Sequence, residues 1–271
     1  MVDAQTYLAQ NFKPINNPLV DCITNRVTIE TMANSLIALG ASPIMADYEP
    51  ELADILAQCQ AILLNMGQLS SGAIAALQTG LELAHDLHIP SVLDLVGFGA
   101  SQVRRDLGTT LVAAKPTIVK GNYSEIRGFL NLPQHGQGVD ASAADQTQAA
   151  MAEVVAGLKP YLAETTFLLT GPQDLIVSAA GTWVLTNNAP ELTGLTGMGD
   201  VVGAFAAAFA STNPPEIAAM AAVSYLNVAA QQAEQLQSRG LGSFKVALHD
   251  QLDLNKTHAW LDEVEGYQWT N

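Results

Sequence analysis

Short apolar runs alternate along this chain with longer stretches in which apolar residues recur every three or four positions. The runs at 19–23, 43–45, 61–65, 91–95, 117–120 and 166–170 have the length and make-up of buried strands. Between them, helical periodicity covers 27–39, 50–58 and 70–87, with Ser70 placed to cap the last of these. Such alternation predicts a mostly parallel central sheet with helices on both faces, a three-layer α/β/α architecture. Two further runs, 174–178 and 182–185, are joined by only 179–181 and read as a hairpin. From Asp200 onward the pattern is entirely helical, over 200–210, 215–235 and from Gly242 on. The Gly-, Pro-, Gln- and Asn-rich stretch 131–140 reads as a mobile loop. No internal repeat, charge block or linker interrupts the chain, so residues 1–271 are expected to form one domain.

Composition narrows what such a fold can do. With 271 residues, 49% of them hydrophobic, the chain can bury a full core. The net charge of −15, with 11 Lys plus Arg, argues against nucleic acid, whose binding depends on neutralising phosphates. Any anionic ligand must be held by backbone amides, a metal ion and very few cations. Cys22 and Cys59 are too sparse for a disulfide scaffold and read as buried, reduced thiols. The first residues lack the basic and apolar segments of a signal peptide, and the apolar stretches are too short to span a bilayer. A cytoplasmic protein is expected.

Candidate chemistry lies where strands end, because an open parallel sheet binds ligands beyond the carboxyl ends of its strands. There the sequence places Asn25, Met45, Asn65 with Gly67, Asp94 with Gly97 and Gly99, Lys120-Gly121-Asn122, and Thr170-Gly171. The run Thr196-Gly197-Met198-Gly199-Asp200 then leads into an alanine-rich helix. Glycine amides at a helix N-terminus attract phosphate. A carboxylate in the same turn suits a phosphotransferase, where a group beside the transferred phosphoryl must accept the proton of the attacking hydroxyl. Asp94, flanked by Val92, Leu93, Leu95 and Val96, either caps nearby amides or holds a cation or a magnesium hydration shell. Asn122 and Glu125 have the spacing of a capping box, the simpler reading; a magnesium role for Glu125 is the alternative. His85 and His88 lack partners for a transition-metal site and read as surface residues, and Trp183, Trp260 and Trp269 read as packing. No G-x-x-x-x-G-K-[ST] run is present, which excludes a P-loop enzyme.

Taken in order, Asp21-Cys22-Ile23-Thr24-Asn25, Ala41-Ser42-Pro43-Ile44-Met45-Ala46, Leu93-Asp94, Lys120-Gly121-Asn122-x-x-Glu125, Leu169-Thr170-Gly171, Thr196 to Asp200 and Gly242-Ser243-Phe244 resemble hydroxyethylthiazole kinases. The resemblance spans about residues 18–250. Asn-x-x-Glu and Thr-Gly-x-Gly-Asp alone indicate the wider ribokinase-like superfamily, and the Ile-Thr-Asn and Ala-Ser-Pro-x-Met segments narrow it. It implies a ribokinase-like fold and phosphorylation of 4-methyl-5-(2-hydroxyethyl)thiazole on its primary alcohol, with ATP as co-substrate and Mg²⁺ as cofactor, a salvage step towards thiamine. A homotrimer with thiazole sites between subunits is also implied. By matching position, Asn25, Val27, Met45 and Gly197 line the thiazole pocket, while Lys120, Thr170 and Asn122 contact ATP. Asp94 and Glu125 serve magnesium, Asp200 is the base, and amides of Gly197 and Gly199 stabilise the transferred phosphoryl. Departures fall at Lys120, often Arg in the family, and at Leu95, Phe98 and Met198, where Pro, a small residue and Ala are usual. Asp200 is Cys in some thiazole kinases and agrees with the wider superfamily. The rival readings are a ribokinase-like kinase for a hydroxymethylpyrimidine, pyridoxal or sugar, a nucleotide-hydrate dehydratase of the same fold, and a binding protein that has lost catalysis.

Overall fold

A computed structural model describes residues 2–133, 147–236 and 239–270. The elements, in chain order, are α1 (Ala4–Asn11), β1 (Leu19–Ile23), α2 (Ile29–Leu39), β2 (Ser42–Ile44), α3 (Leu52–Leu56), β3 (Ala61–Asn65) and α4 (Ser71–Leu87). They continue with β4 (Ser91–Asp94), α5 (Gln102–Ala113), β5 (Ile118–Asn122), α6 (Tyr123–Phe129), α7 (Gln148–Leu158), β6 (Thr166–Thr170), β7 (Asp174–Val177) and β8 (Thr182–Leu185). Helices α8 (Met198–Ala210), α9 (Pro215–Glu234) and α10 (Leu241–Leu254), then β9 (Gly266–Trp269), complete the fold.

Among the described residues, one nine-stranded sheet runs in the order β2-β1-β3-β4-β5-β6-β7-β8-β9. Pairings from β2 to β6 are parallel, and those from β6 to β9 are antiparallel. The strands β3 and β4 are buried along their whole length, as expected of strands covered on both faces. One apolar cluster packs α2, α8, α9 and α10 on one face of the sheet. A second packs α3, α4, α5, α6 and α7 on the other. The three-layer α/β/α arrangement expected from the sequence is what forms.

Several local expectations hold. Ser70 caps α4 by accepting from the Ala73 amide, and β7 and β8 form the antiparallel hairpin. Cys22 and Cys59 are free and buried, and His85 and His88 are exposed. Others shift. The helix expected from residue 27 begins at Ile29, and the one expected over 50–58 is a short 3₁₀ turn, Glu49–Glu51, followed by α3. Helix α8 begins at Met198, two residues before the expected start, which puts Asp200 inside its first turn. Elements α1, α5, α7 and β9 are additions to the expected layout. Of the expected loop 131–140, residues 134–140 lie outside the described residues. No described helix is long and apolar enough to cross a membrane.

Candidate active site

Five parallel strands and the first turn of α8 converge on an open cleft of about 550 Å³. Asn25, Val27, Lys120, Asn122, Glu125, Thr170, Gly197, Gly199 and Asp200 all border it, so the sheet brings together nearly every site residue expected from the sequence. Two are elsewhere. Met45 lies just beyond β2, half-buried against the core, and does not border the cleft. Asp94 is fully buried beneath Lys120.

Gly197 sets the turn. Its φ of +88° lies in the left-handed region, and a β-carbon there would sit 2.2 Å from the Thr28 methyl carbon. The backbone therefore presses against Thr28 as α8 begins, and Asp200 falls at the third helical position. A carboxylate in that turn also interacts favourably with the positive end of the helix dipole. Met198, whose bulk departs from the family pattern, is buried in the core and leaves the turn open. Leu95 and Phe98 are likewise buried, Phe98 against Gly108.

Asp200 is held from two sides. Its Oδ2 accepts from Asn25 Nδ2 at 2.9 Å and from Thr28 Oγ1 at 2.7 Å. Its Oδ1 accepts from Asn65 Nδ2 at 3.0 Å. The same Asn65 amide also donates to Asp94 Oδ2, at 3.4 Å, and Lys120 Nζ donates to that oxygen at 3.0 Å. One chain of polar contacts thus runs from Asp200 through Asn65 and Asp94 to Lys120. A β-carbon on Gly199 would lie 3.1 Å from the Lys120 ammonium, which therefore sits against the glycine turn.

Burial pushes the Asp94 carboxyl up to about 7, against the pull of the Lys120 ammonium. Burial alone would depress Lys120, but Asp94, Glu125 and Asp200 outweigh it and hold its pKa above the ordinary lysine value. Burial also raises Glu125. The capping box is real: Glu125 Oε2 accepts from the Asn122 amide at 2.7 Å, and Asn122 Oδ1 accepts from the Glu125 amide at 2.8 Å. Glu125 Oε1 adds the Gly97 amide at 2.8 Å. Among the described residues no cluster of three or more His, Cys, Asp or Glu side chains forms a ready-made metal cage.

Some supporting residues were given no role from the sequence. Thr28 braces both Asp200 and Gly197, and Asn65 links the two carboxylates. Arg104 donates to the carbonyls of Met66, Gly67 and Val96, tying the loops after β3 and β4 together. Asp174, raised to about 7 by burial, accepts from the Gly171 amide beside Thr170. Asn65 alone carried a sequence signal, its place at a strand end.

The model of the Hydroxyethylthiazole kinase family matches residues 11–257, nearly the whole chain. The chain belongs to that family. A hydroxyethylthiazole kinase of Lacticaseibacillus casei (strain BL23) is 43% identical over 257 residues, covering 93% of this chain and 92% of that relative. The solved hydroxyethylthiazole kinase of Pyrococcus horikoshii OT3 superposes with a TM-score of 0.81 at 29% identity, over 94% of each chain. A ribokinase-like superfamily protein from Enterococcus faecalis V583 shares the fold, with a TM-score of 0.64 at 15% identity over 93% of this chain and 94% of that one. The hydroxyethylthiazole kinases are phosphotransferases, and this member is an enzyme of that class on a ribokinase-like fold.

Proposed function

We propose that this kinase transfers the γ-phosphoryl group of ATP to the primary alcohol of 4-methyl-5-(2-hydroxyethyl)thiazole, with Mg²⁺, as a salvage step towards thiamine. The observation that carries the reading is the placement of Asp200: a carboxylate oriented by three neutral donors, in the first turn of a helix, beside a glycine turn and a lysine. Asn25, Val27 and Gly197 form the thiazole side of this cleft, and Met45 reaches a thiazole only across a subunit interface. Lys120, Thr170 and Asn122 form the nucleotide side, where first-turn amides of α8 and the Lys120 ammonium meet the phosphates. Asp200 orients the alcohol for in-line attack and takes its proton late, because a loose transition state needs no early deprotonation.

The donor set fits magnesium through its waters. Glu125 borders the cleft, and each of its oxygens already accepts one amide hydrogen, leaving room for a water of a hydrated cation. Asp94 is engaged by the Val96 amide, Asn65 and Lys120 and is buried directly behind the cleft wall, so its contribution passes through Lys120. Magnesium bound there supplies charge neutralisation at the phosphates, which a chain of net charge −15 needs.

Replacing Asp200 by Asn is expected to lower kcat roughly 10²–10⁴-fold with thiazole affinity little changed. Turnover within tenfold of wild type would remove the base assignment. A panel of vitamin-precursor alcohols assayed with ATP tests the substrate itself, since preferred phosphorylation of a pyrimidine or pyridoxal alcohol overturns it.

The proposal includes a homotrimer with thiazole sites between subunits. Two observations support it: Met45 is displaced from the cleft of the single chain, and Val27 is 77% exposed at the rim of that cleft. Light scattering on the purified protein should give a species of three chains. Val27→Asp should shift it toward the monomer and raise KM for the thiazole. A monomeric wild type at micromolar concentration would refute the arrangement.

A further inference from the structure

The hydrogen bonds around Asp200 leave one acceptor position open, and its place can be worked out atom by atom. The Asn25 carboxamide is fixed first: its Oδ1 accepts the backbone amides of Val27, at 3.1 Å, and Thr28, at 3.2 Å, so its Nδ2 must donate to Asp200. Those amides fill both lone pairs of Asn25 Oδ1. The Thr28 hydroxyl, 3.2 Å from Asn25 Oδ1 but 2.7 Å from Asp200 Oδ2, therefore gives its single hydrogen to Asp200. Asp200 Oδ2 thus receives two donors and is full.

On the other oxygen the arithmetic differs. The Gly67 amide donates to Asn65 Oδ1 at 2.7 Å, which fixes that carboxamide with Nδ2 toward the two carboxylates. One of its hydrogens goes to Asp200 Oδ1 and the other toward Asp94. Among the described residues Asp200 Oδ1 has no second donor, and Asp200 borders the cleft. A β-carbon on Gly67 would meet Asn65 Oδ1 at 2.7 Å and Asn25 Nδ2 at 2.9 Å, so it is the glycine at this position that leaves both carboxamides their places.

We infer that Asp200 takes the alcohol proton on Oδ1, and that Asn65 is the positioning residue that directs this oxygen toward the acceptor. The inference rests on the kinase reading given above. In the step, the alcohol oxygen bonds to the γ-phosphorus as the bond from that phosphorus to the β,γ-bridging oxygen breaks. The electron pair of the broken bond leaves with ADP, and the hydroxyl proton goes to Oδ1. Asn65 still donates to the protonated oxygen through its other lone pair, so the geometry survives the transfer. Asn65 touches no reacting atom and acts through Asp200.

A double-mutant cycle tests this, with kcat and both KM values measured for wild type, Asn65→Ala, Asp200→Asn and the double variant. In the wild-type background Asn65→Ala is expected to lower kcat about 10- to 100-fold, with KM for the thiazole alcohol and for ATP changed less than about threefold. In the Asp200→Asn background the same substitution should cost less than about threefold, because the group it positions is gone. Equal costs in both backgrounds overturn the inference, as does a kcat within about twofold of wild type. A structural defect would lower both backgrounds alike, so it counts against the proposal. Should Asn65→Ala fail to fold, Asn65→Asp keeps the shape, lacks the two donors, and is read by the same cycle. Wild-type turnover of the thiazole alcohol is measured first. Its absence overturns the functional reading and this inference together, whereas normal turnover with a flat cycle overturns the inference alone.

Discussion

Thr28 and Gly197 touch so closely that each limits what the other can become. Gly197→Ala would place a β-carbon 2.2 Å from the Thr28 methyl and force a left-handed φ on alanine, which by itself costs about 1–2 kcal/mol. The variant is expected to lose most activity and to melt several degrees lower, at roughly 2–4 °C per kcal/mol for a chain of this size. A calorimetric midpoint unchanged within a degree would show that the turn is looser than described. Glu125→Gln can keep its side-chain oxygen on the Asn122 amide, gives up the acceptor for the Gly97 amide, and removes the charge a hydrated cation would meet. It should shift the magnesium titration of activity to higher concentration, and an unchanged titration would leave Glu125 with capping alone. At this scale the sequence was informative where a polar group closed an apolar run, as at Asn25, Asp94 and Lys120, and where a glycine turn opened a helix, as at Asp200. It was silent on Thr28, since a threonine in the loop before a helix is an ordinary residue until the fold brings Gly197 against it. Arg104 was hidden for the same reason: its three carbonyl partners lie 8 to 38 residues away.

Elements differ in how far their ends matter to the chemistry. Ser70 and Asn122 both cap helices, and replacing either by alanine should cost on the order of 1 kcal/mol. Of these two helices only α6 begins at the cleft, so Asn122→Ala should also raise KM for ATP while Ser70→Ala leaves kinetics unchanged. Equal kinetics for the two variants would remove Asn122 from the nucleotide side. The buried strands and the long amphipathic helices were legible because one environment governs their full length. The elements left out of the expected layout are of another kind. Helix α1 buries only Ala4 and Leu8, and α5 carries Arg104, Arg105 and Asp106 in its first half. Strand β9 is half-buried throughout and is defined by pairing with β8, a contact no local pattern announces. Helix α8 began early because Met198 packs into the core, although a glycine on either side of it reads as loop.

For the molecule as a whole, burial raises the carboxyls of Asp21, Asp94 and Asp174 to about 7. Each binds its proton more tightly folded than unfolded, so between about pH 4 and pH 7 the folded state holds more protons and stability falls as pH rises. The ligand-free protein should therefore melt at a higher temperature near pH 5 than near pH 8. Asp21→Asn, remote from the cleft, should flatten that slope; a variant with the wild-type slope would show that Asp21 does not contribute. The same scale gives α8 a consequence for how the protein tolerates change. From Asp200 to Phe209 every residue of this helix is buried, with sheet on one side and α2 and α9 on others. It is a rod without a free flank, so volume added at Ala207, some 10 Å along the axis, cannot be relieved outward. The strain is passed along the rod to the carboxylate at its tip. Enlarging Ala207 to Val should thus lower turnover more than its cost in stability accounts for, which makes a position deep in the core an adjustment screw for the chemistry.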